Sequence, residues 1–495
     1  VGIGGARPDR RTAAAADPIL IATVRSDVLI VGAGSAGSVL AERLSRDPQR
    51  RVTVLETGPD TGDATIAGLI GDGLRLPLGP DSPVVARYPT LLTDDPIRSV
   101  DLVRGAVTGG SGAVNGGYFC RPPSGDFADW ALPGWSWPEV LPHFRAIETD
   151  LDFAGPLHGD DGPIPVRRAA DPGDISAQFA EAATRAGIVW LDDLNGDHPR
   201  LPDGIGAVPS NTIDGRRLGP GETFLARART RPNLLVYNEI QVTRIEFAGS
   251  RATGVIGRGP DGPVRFGAEA VVLCAGAIGT AKLLMLSGIG DPAHLAGLGI
   301  ETRVSAPVGS ACCDHPEWVL PTVWTSGSRG PVLEVVFSLA AGIEIRPYTT
   351  GFGAMTGNRQ EDDPVCIAVS LMTPAARGTV RLRSVDPAAA PDIRQHYDTE
   401  PADARKLAHG VAVVREILSG TGSIDGPYWS TSQHLCGTAP MGTDGDPRAV
   451  LDPQCRVRGV DGLWVIDGSA LPAAPGRGPH AVTVMLAHRA AEFVH

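Results

Sequence analysis

The segment from Asp27 to Glu56, DVLIVGAGSAGSVLAERLSRDPQRRVTVLE, constrains the fold more than any other stretch, because it spells strand, glycine turn, helix and second strand ending in an acid. Asp27 to Val31 is a short apolar run suited to a strand buried on both faces of a parallel sheet. Gly32, Gly34 and Gly37 fall where a tight turn, backbone access to a pyrophosphate and close helix packing are required. Val39, Leu40, Arg43 and Leu44 continue at helical spacing, so the N–H groups at the start of that helix would face phosphate. Val52 to Leu55 returns as a strand, and Glu56 stands where a carboxylate can accept a hydrogen bond from a ribose hydroxyl. The pattern specifies a dinucleotide-binding α/β unit and does not by itself separate FAD from NAD.

A chain of 495 residues with 42% hydrophobic content can bury a large core and is expected to form two domains. Its net charge of −12 repels phosphate backbones and supplies no basic stripe, which argues against nucleic acid or anionic lipid as a partner. The seven cysteines are odd in number and contain no CxxC pair, so a reduced, cytoplasmic setting is expected, with a peripheral position at a membrane as the variant. Residues 1–25 read as a flexible extension, and Arg10 and Arg11 make only a poor trace of a twin-arginine signal. The most apolar long window, Val271 to Gly290, contains Lys282 and several glycines, so no integral membrane segment is expected. There is no HExxH or His-Cys cluster, and no metal is expected.

A second glycine cluster, RGAVTGGSGAVN, spans Arg104 to Asn115, and a third motif, GAIGTAKLLMLSGIG, spans Gly276 to Gly290. With the first motif they resemble the two signatures of the glucose-methanol-choline (GMC) flavoprotein oxidoreductases, although Ala106, Thr108 and Ala281 depart from the usual residues. The resemblance runs from about Ser26 to Val494 and takes in HGDDGPIPV, PVGSACCDH and PAARGTVRLRSVDP. It implies FAD, with Gly109, Gly110, Ser111 and Asn115 set against the cofactor, the Val242 backbone meeting adenine, and Asp467 and Gly468 near the ribityl and pyrophosphate groups. Some family members attach FAD through a histidine just before the asparagine matched by Asn115. Val114 stands there, so non-covalent FAD is expected.

Two histidines fall where the second half of such a chain returns to the flavin: His434, opening HLCGTAPMG, and His480, in RGPHAVTVMLAHRAAEFV. Oxidising an alcohol removes the hydroxyl proton and the α-hydride, and an imidazole with a pKa near ~6.5 can take that proton while a partner hydrogen-bonds the alkoxide. His434 is the favoured base, but the sequence leaves the assignment open between the two. His143, His198, His294, His396, His409 and His488 are expected to be structural, and His315 is assigned the same role despite its family-like surroundings. Pro479 and His480 mark a helix start, because Val482, Met485, Leu486, Ala490 and Phe493 follow at helical spacing.

The expected architecture is α/β: a Rossmann-like FAD-binding domain from residues 26–125, 205–310 and 440–495, with a mixed-sheet substrate-binding cap from 126–204 and 311–439. Segments such as YFCRPPSGDFADWALPGWSW and TSQHLCGTAPMG look most like the mycofactocin-associated branch of the family. That likeness implies reoxidation of reduced mycofactocin, a peptide-derived redox cofactor, with electrons passing toward the respiratory chain. Competing expectations are an alcohol or choline dehydrogenase or oxidase, a GMC-fold hydroxynitrile lyase, and a non-enzymatic FAD-binding protein.

Overall fold

The computed structural model describes residues 24–324, 330–358, 363–419 and 426–495, so most of the expected N-terminal extension lies outside the described residues. Strand β1 (Val24–Val31), helix α1 (Ser35–Leu44) and strand β2 (Val52–Leu55) form the expected first unit. β1 lies between β2 and the strand Gly262–Leu273, parallel to both, with Val31 level with Leu55 on one side and Leu273 on the other. Leu234–Tyr237 adds outside β2, and Leu463–Val465 pairs with Gly262–Leu273 in parallel. The near-continuous apolar content of these strands follows from burial on both faces. Beyond Gly262–Leu273 the sheet turns antiparallel through Arg251–Gly259 and Gln241–Ala248.

A second sheet of six strands runs antiparallel in the order Tyr428–Thr431, Pro316–Pro321, Val365–Leu371, Ile343–Gly351, Val335–Leu339, Gly204–Ala207. Helices Asp174–Arg185 and Pro401–Ile417 cover it, burying Phe179, Leu407, Val411 and Val414 against Ile343, Ile367 and Val369. A four-stranded mixed sheet joins the hairpin Val85–Gly105 to Thr379–Arg394, tying the first half of the chain to the second.

The proposed domain division meets two differences. Residues 126–147 do not sit on the six-stranded sheet: Phe127, Trp130, Trp135, Val140 and Phe144 share one core with β1, α1 and the final helix His480–Ala490. Their aromatic faces find apolar cover on the nucleotide side, which a boundary drawn from motif positions does not anticipate. Conversely, Gly204–Ala207, placed across the start of a nucleotide-domain segment, is the edge strand of the six-stranded sheet.

Candidate active site

The first two glycine motifs pack against each other. Gly109 N donates to Ala33 O at 2.8 Å, and a Cβ at Gly110 would lie 2.7 Å from the Gly34 Cα. Gly109 and Gly110 both have positive φ, 95° and 55°, so these positions require glycine on conformational as well as steric grounds. Gly32, at φ 104°, turns the chain so that Gly32 N reaches Leu55 O, and Gly37 has room for no side chain against Gly32 O. Ser111 Oγ accepts from Gly105 N, and Asn115 Oδ1 accepts from Gly117 N, so both side chains shape the loop rather than project from it.

Glu56 follows β2 as a buried carboxylate that accepts from Ala33 N at 2.8 Å and Gly58 N at 2.9 Å. Burial pushes its pKa up against those N–H groups. Ile240 N donates to Glu56 O, which brings the segment leading to Val242 beside the same strand end. Asp467 sits in the turn that opens the last segment of the chain. Its carboxylate is taken by Gly276 N, Thr280 Oγ1 and Ser469 N, so it caps the start of helix Gly276–Leu286 and fixes Gly468 in the turn that follows.

These residues fit a flavin dinucleotide. The first turn of α1 has no side-chain cap at Gly34, leaving its N–H groups for phosphate. The Gly34/Gly110 contact makes a cradle that a Cβ at Gly110 would fill, and the Nε2 of His480 is buried without a partner. Val114 lies in an apolar cluster with Ile66, Val84 and Val107, so it offers no attachment atom.

His480 begins the final helix, as the sequence predicts, with Pro479 as its N-cap. Its ring stands edge-on to Phe119, and a Cβ at Gly112 would be 2.9 Å from His480 Cε1 and 2.4 Å from Ser35 Oγ. Three distant stretches, the first motif, the second glycine cluster and the start of the last helix, therefore meet at one point. His434 packs near Gly478, two residues before His480: a Cβ at Gly478 would be 3.4 Å from His434 Cε1 and 3.2 Å from the Tyr118 ring. Low-dielectric surroundings, then His315, Arg346 and Arg104, hold His434 well below the usual imidazole range, and burial holds His480 at about 4. Both rings are neutral at pH 7.

His434 is held by residues that sequence reading treated as structural or passed over. Asp314 Oδ1 accepts from the backbone N–H of both His315 and His434, each at 2.8 Å, while Oδ2 accepts from Thr431 Oγ1 and Gln395 Nε2. Cys313 and Cys436 exchange backbone hydrogen bonds beside it. His315, expected only to pack, has its Nδ1 2.8 Å from His434 Nδ1. The Asp-His pair in PVGSACCDH was the available signal; what it lacked was the pairing that brings it to His434.

Behind Tyr118 lies a buried ion network. Glu344 accepts from Arg477 at 2.7 Å, from Arg346 at 2.7 Å and from the Tyr118 hydroxyl at 2.8 Å. Burial alone would raise the Glu344 carboxyl, but the two guanidinium groups outweigh it and hold it at about 2. Arg346 also reaches Ser432 Oγ and Glu317. A cavity of about 650 Å³ is bordered by Trp130, Thr373, Met441, Ala474 and Gly476, and neither His434 nor His480 lines it.

One grouping differs from the expectation of no metal-ligand cluster: Glu148, Asp150 and His158 converge within 4.8 Å. Arg121 and Arg168 already occupy the carboxylates. Burial would depress His158, but Asp150, Asp193 and Glu148 carry it to about 10, so its ring is a cation in a structural ion network. All seven cysteines are buried and free. Among the described residues no helix is long and apolar enough to cross a membrane.

Comparison with known proteins agrees with this geometry. The two GMC oxidoreductase family models match residues 26–317 and 374–487. An uncharacterized GMC-type oxidoreductase from the thcA 5' region of Rhodococcus erythropolis is 40% identical over 95% of this chain and 98% of its own length. An oxygen-dependent choline dehydrogenase of Sinorhizobium fredii is 32% identical over 95% of this chain and 96% of its own. Among solved structures, pyridoxine 4-oxidase from Mesorbium loti superposes with a TM-score of 0.85 at 26% identity, covering 94% of this chain and 98% of that one.

Proposed function

The chain belongs to the GMC oxidoreductase family and is an FAD-dependent oxidoreductase, and on that premise we propose that His434 and His480 carry the oxidation of a CH–OH group. FAD, held by the glycine turns at Gly32–Gly37 and Gly109–Gly110, would supply the two-electron acceptor for this oxidation. The observation that carries the reading is that neutral His434, clamped by Asp314, packs near Gly478, two residues before neutral His480. His434 Nε2 takes the hydroxyl proton, and His480 hydrogen-bonds the developing alkoxide. The aromatic wall of Phe119 and Tyr118 excludes water and orients the alcohol. Asn115, Ser111 and the glycines hold the FAD without a covalent link at Val114.

The finer reading is that the substrate is reduced mycofactocin, with electrons passed on to the respiratory chain; it rests on the branch resemblance of the sequence. A large ligand can use remote contacts along the cap to align its C–H and O–H bonds, whereas a small alcohol cannot. Anaerobic mixing tests both levels. Reduced mycofactocin is expected to bleach the flavin much faster than choline, ethanol or glucose at equal concentration. Faster bleaching by a simple alcohol would overturn the substrate and leave the chemistry, while flavin that no alcohol reduces would favour a lyase.

A further inference from the structure

On the reading that His434 Nε2 is the base, that nitrogen must carry a lone pair, and the single ring proton of neutral His434 must then sit on Nδ1. The partner of that Nδ1 is the Nδ1 of His315, 2.8 Å away, with the two rings almost perpendicular. Two ring nitrogens this close share one proton, so the tautomer of one ring dictates the tautomer of the other. In one arrangement His434 Nδ1–H donates, His315 accepts, and the His315 proton lies on its Nε2. In the other His315 donates, and His434 is left with a proton on Nε2, where it can no longer accept one.

The surroundings of His315 choose between them. Its Nε2 is buried with no hydrogen-bond partner, and no donor is aimed at it. With Nδ1 committed to His434, no other group competes for Nε2, so His315 can keep its own proton there and accept from His434 through Nδ1. The backbones of the two histidines are held together by the one Asp314 oxygen that accepts from both N–H groups. We propose that His315 is a positioning residue that fixes His434 as its Nδ1–H tautomer, keeping the lone pair of Nε2 toward the substrate, with Asp314 as the clamp that sets the distance.

The tautomer can be read independently of turnover. In the FAD-loaded protein labelled with ¹⁵N-histidine, long-range ¹H–¹⁵N correlation is expected to show His434 with a protonated Nδ1 and a bare Nε2, and His315 with the reverse, each assigned by its own substitution. His315→Leu should retain FAD, shift His434 to a mixture of tautomers, and slow flavin reduction by about tenfold or more, short of the ~100-fold expected for loss of the base itself. His315→Asn places a carbonyl oxygen near the position of Nδ1, so it should restore the Nδ1–H signature and most of the rate. A wild-type His434 that carries its proton on Nε2 would overturn the assignment. So would a His315→Leu protein with wild-type spectrum and rate, or a His315→Asn protein as impaired as His315→Leu.

Discussion

At the scale of single residues, chemistry is assigned by what each imidazole is free to do. Most histidines of this chain are spoken for: His294 Nε2 accepts from Leu382 N, His143 and His488 face each other between Arg43 and Arg489, and His158 is an ion-pair cation. His480 keeps its Nε2 buried without a hydrogen-bond partner, and burial holds both His480 and His434 in the neutral form that a general base must have before it acts. His434→Ala is therefore expected to keep its FAD and slow substrate-dependent flavin reduction by at least about 100-fold in stopped-flow traces. His480→Asn should be milder, since an amide can still donate to an alkoxide. Full reduction rates in His434→Ala would remove that residue from the mechanism, and loss of FAD would make its role structural. Glu344 gives a contrasting case, because its work is to balance Arg346 and Arg477 where no water can. Glu344→Gln leaves two buried guanidinium groups short of their counter-charge, and roughly 3–5 kcal/mol of stability should go, read as a lower denaturant midpoint. An unchanged midpoint would show that Glu317 compensates.

At the scale of elements, the site is built from turns in which Gly32, Gly37 and Gly110 have no room for a side chain. Gly110→Ala would force a Cβ into the Gly34 Cα and strain a backbone at φ 55°, so the two glycine motifs would separate where the pyrophosphate should lie. The expected result is a folded but colourless protein, checked by circular dichroism beside the flavin absorbance; a yellow Gly110→Ala would mean the motifs do not form the cradle together. The wild-type chain should release intact FAD on denaturation, because Val114 sits in an apolar cluster, and flavin remaining with the precipitate would refute that. These turns were also the most legible part of the sequence. β1, α1, β2, Glu56 and the helix beginning at His480 could be read from period and spacing, since local steric demands leave their mark on local residues. Asp314 and His315 could not, because their role depends on the backbone exchange between Cys313 and Cys436, a contact across the chain that no local pattern encodes. The partners of the Asp467 carboxylate were illegible for a related reason: a motif gives a residue's neighbourhood but not which donors its side chain will find, and the start of helix Gly276–Leu286 supplies them.

At the scale of the whole molecule, burial of titratable groups gives the fold a stability optimum in pH. His315 and His488 are held at about 3 by burial and His480 at about 4, so in the folded state they stay neutral where an unfolded histidine, near ~6.5, would protonate. Below that value the unfolded chain binds more protons than the native one, and stability falls as the pH falls, by about 1.4 kcal/mol per pH unit for each of the fully buried rings. Asp126, pushed up to about 6 by burial, works against them over part of the same window, but it is one group against several. His158 acts in the opposite direction and elsewhere. Raised to about 10 by its carboxylates, it contributes stability that is complete below ~6.5 and is lost as the pH rises through its folded value. The melting temperature of the protein should therefore peak near neutrality, drop steeply toward pH 5 and decline more gently toward pH 10. His158→Gln should flatten the alkaline limb and leave the slope of the acid limb unchanged, because the two arise from separate groups in separate parts of the fold: Glu148, Asp150 and Asp193 on one side, and the rings around the candidate site and the final helix on the other. A melting temperature that keeps rising from pH 7 to 10 would show that His158 is not a buried cation, and one that is flat from pH 7 to 5 would show that the buried rings are already charged at neutral pH.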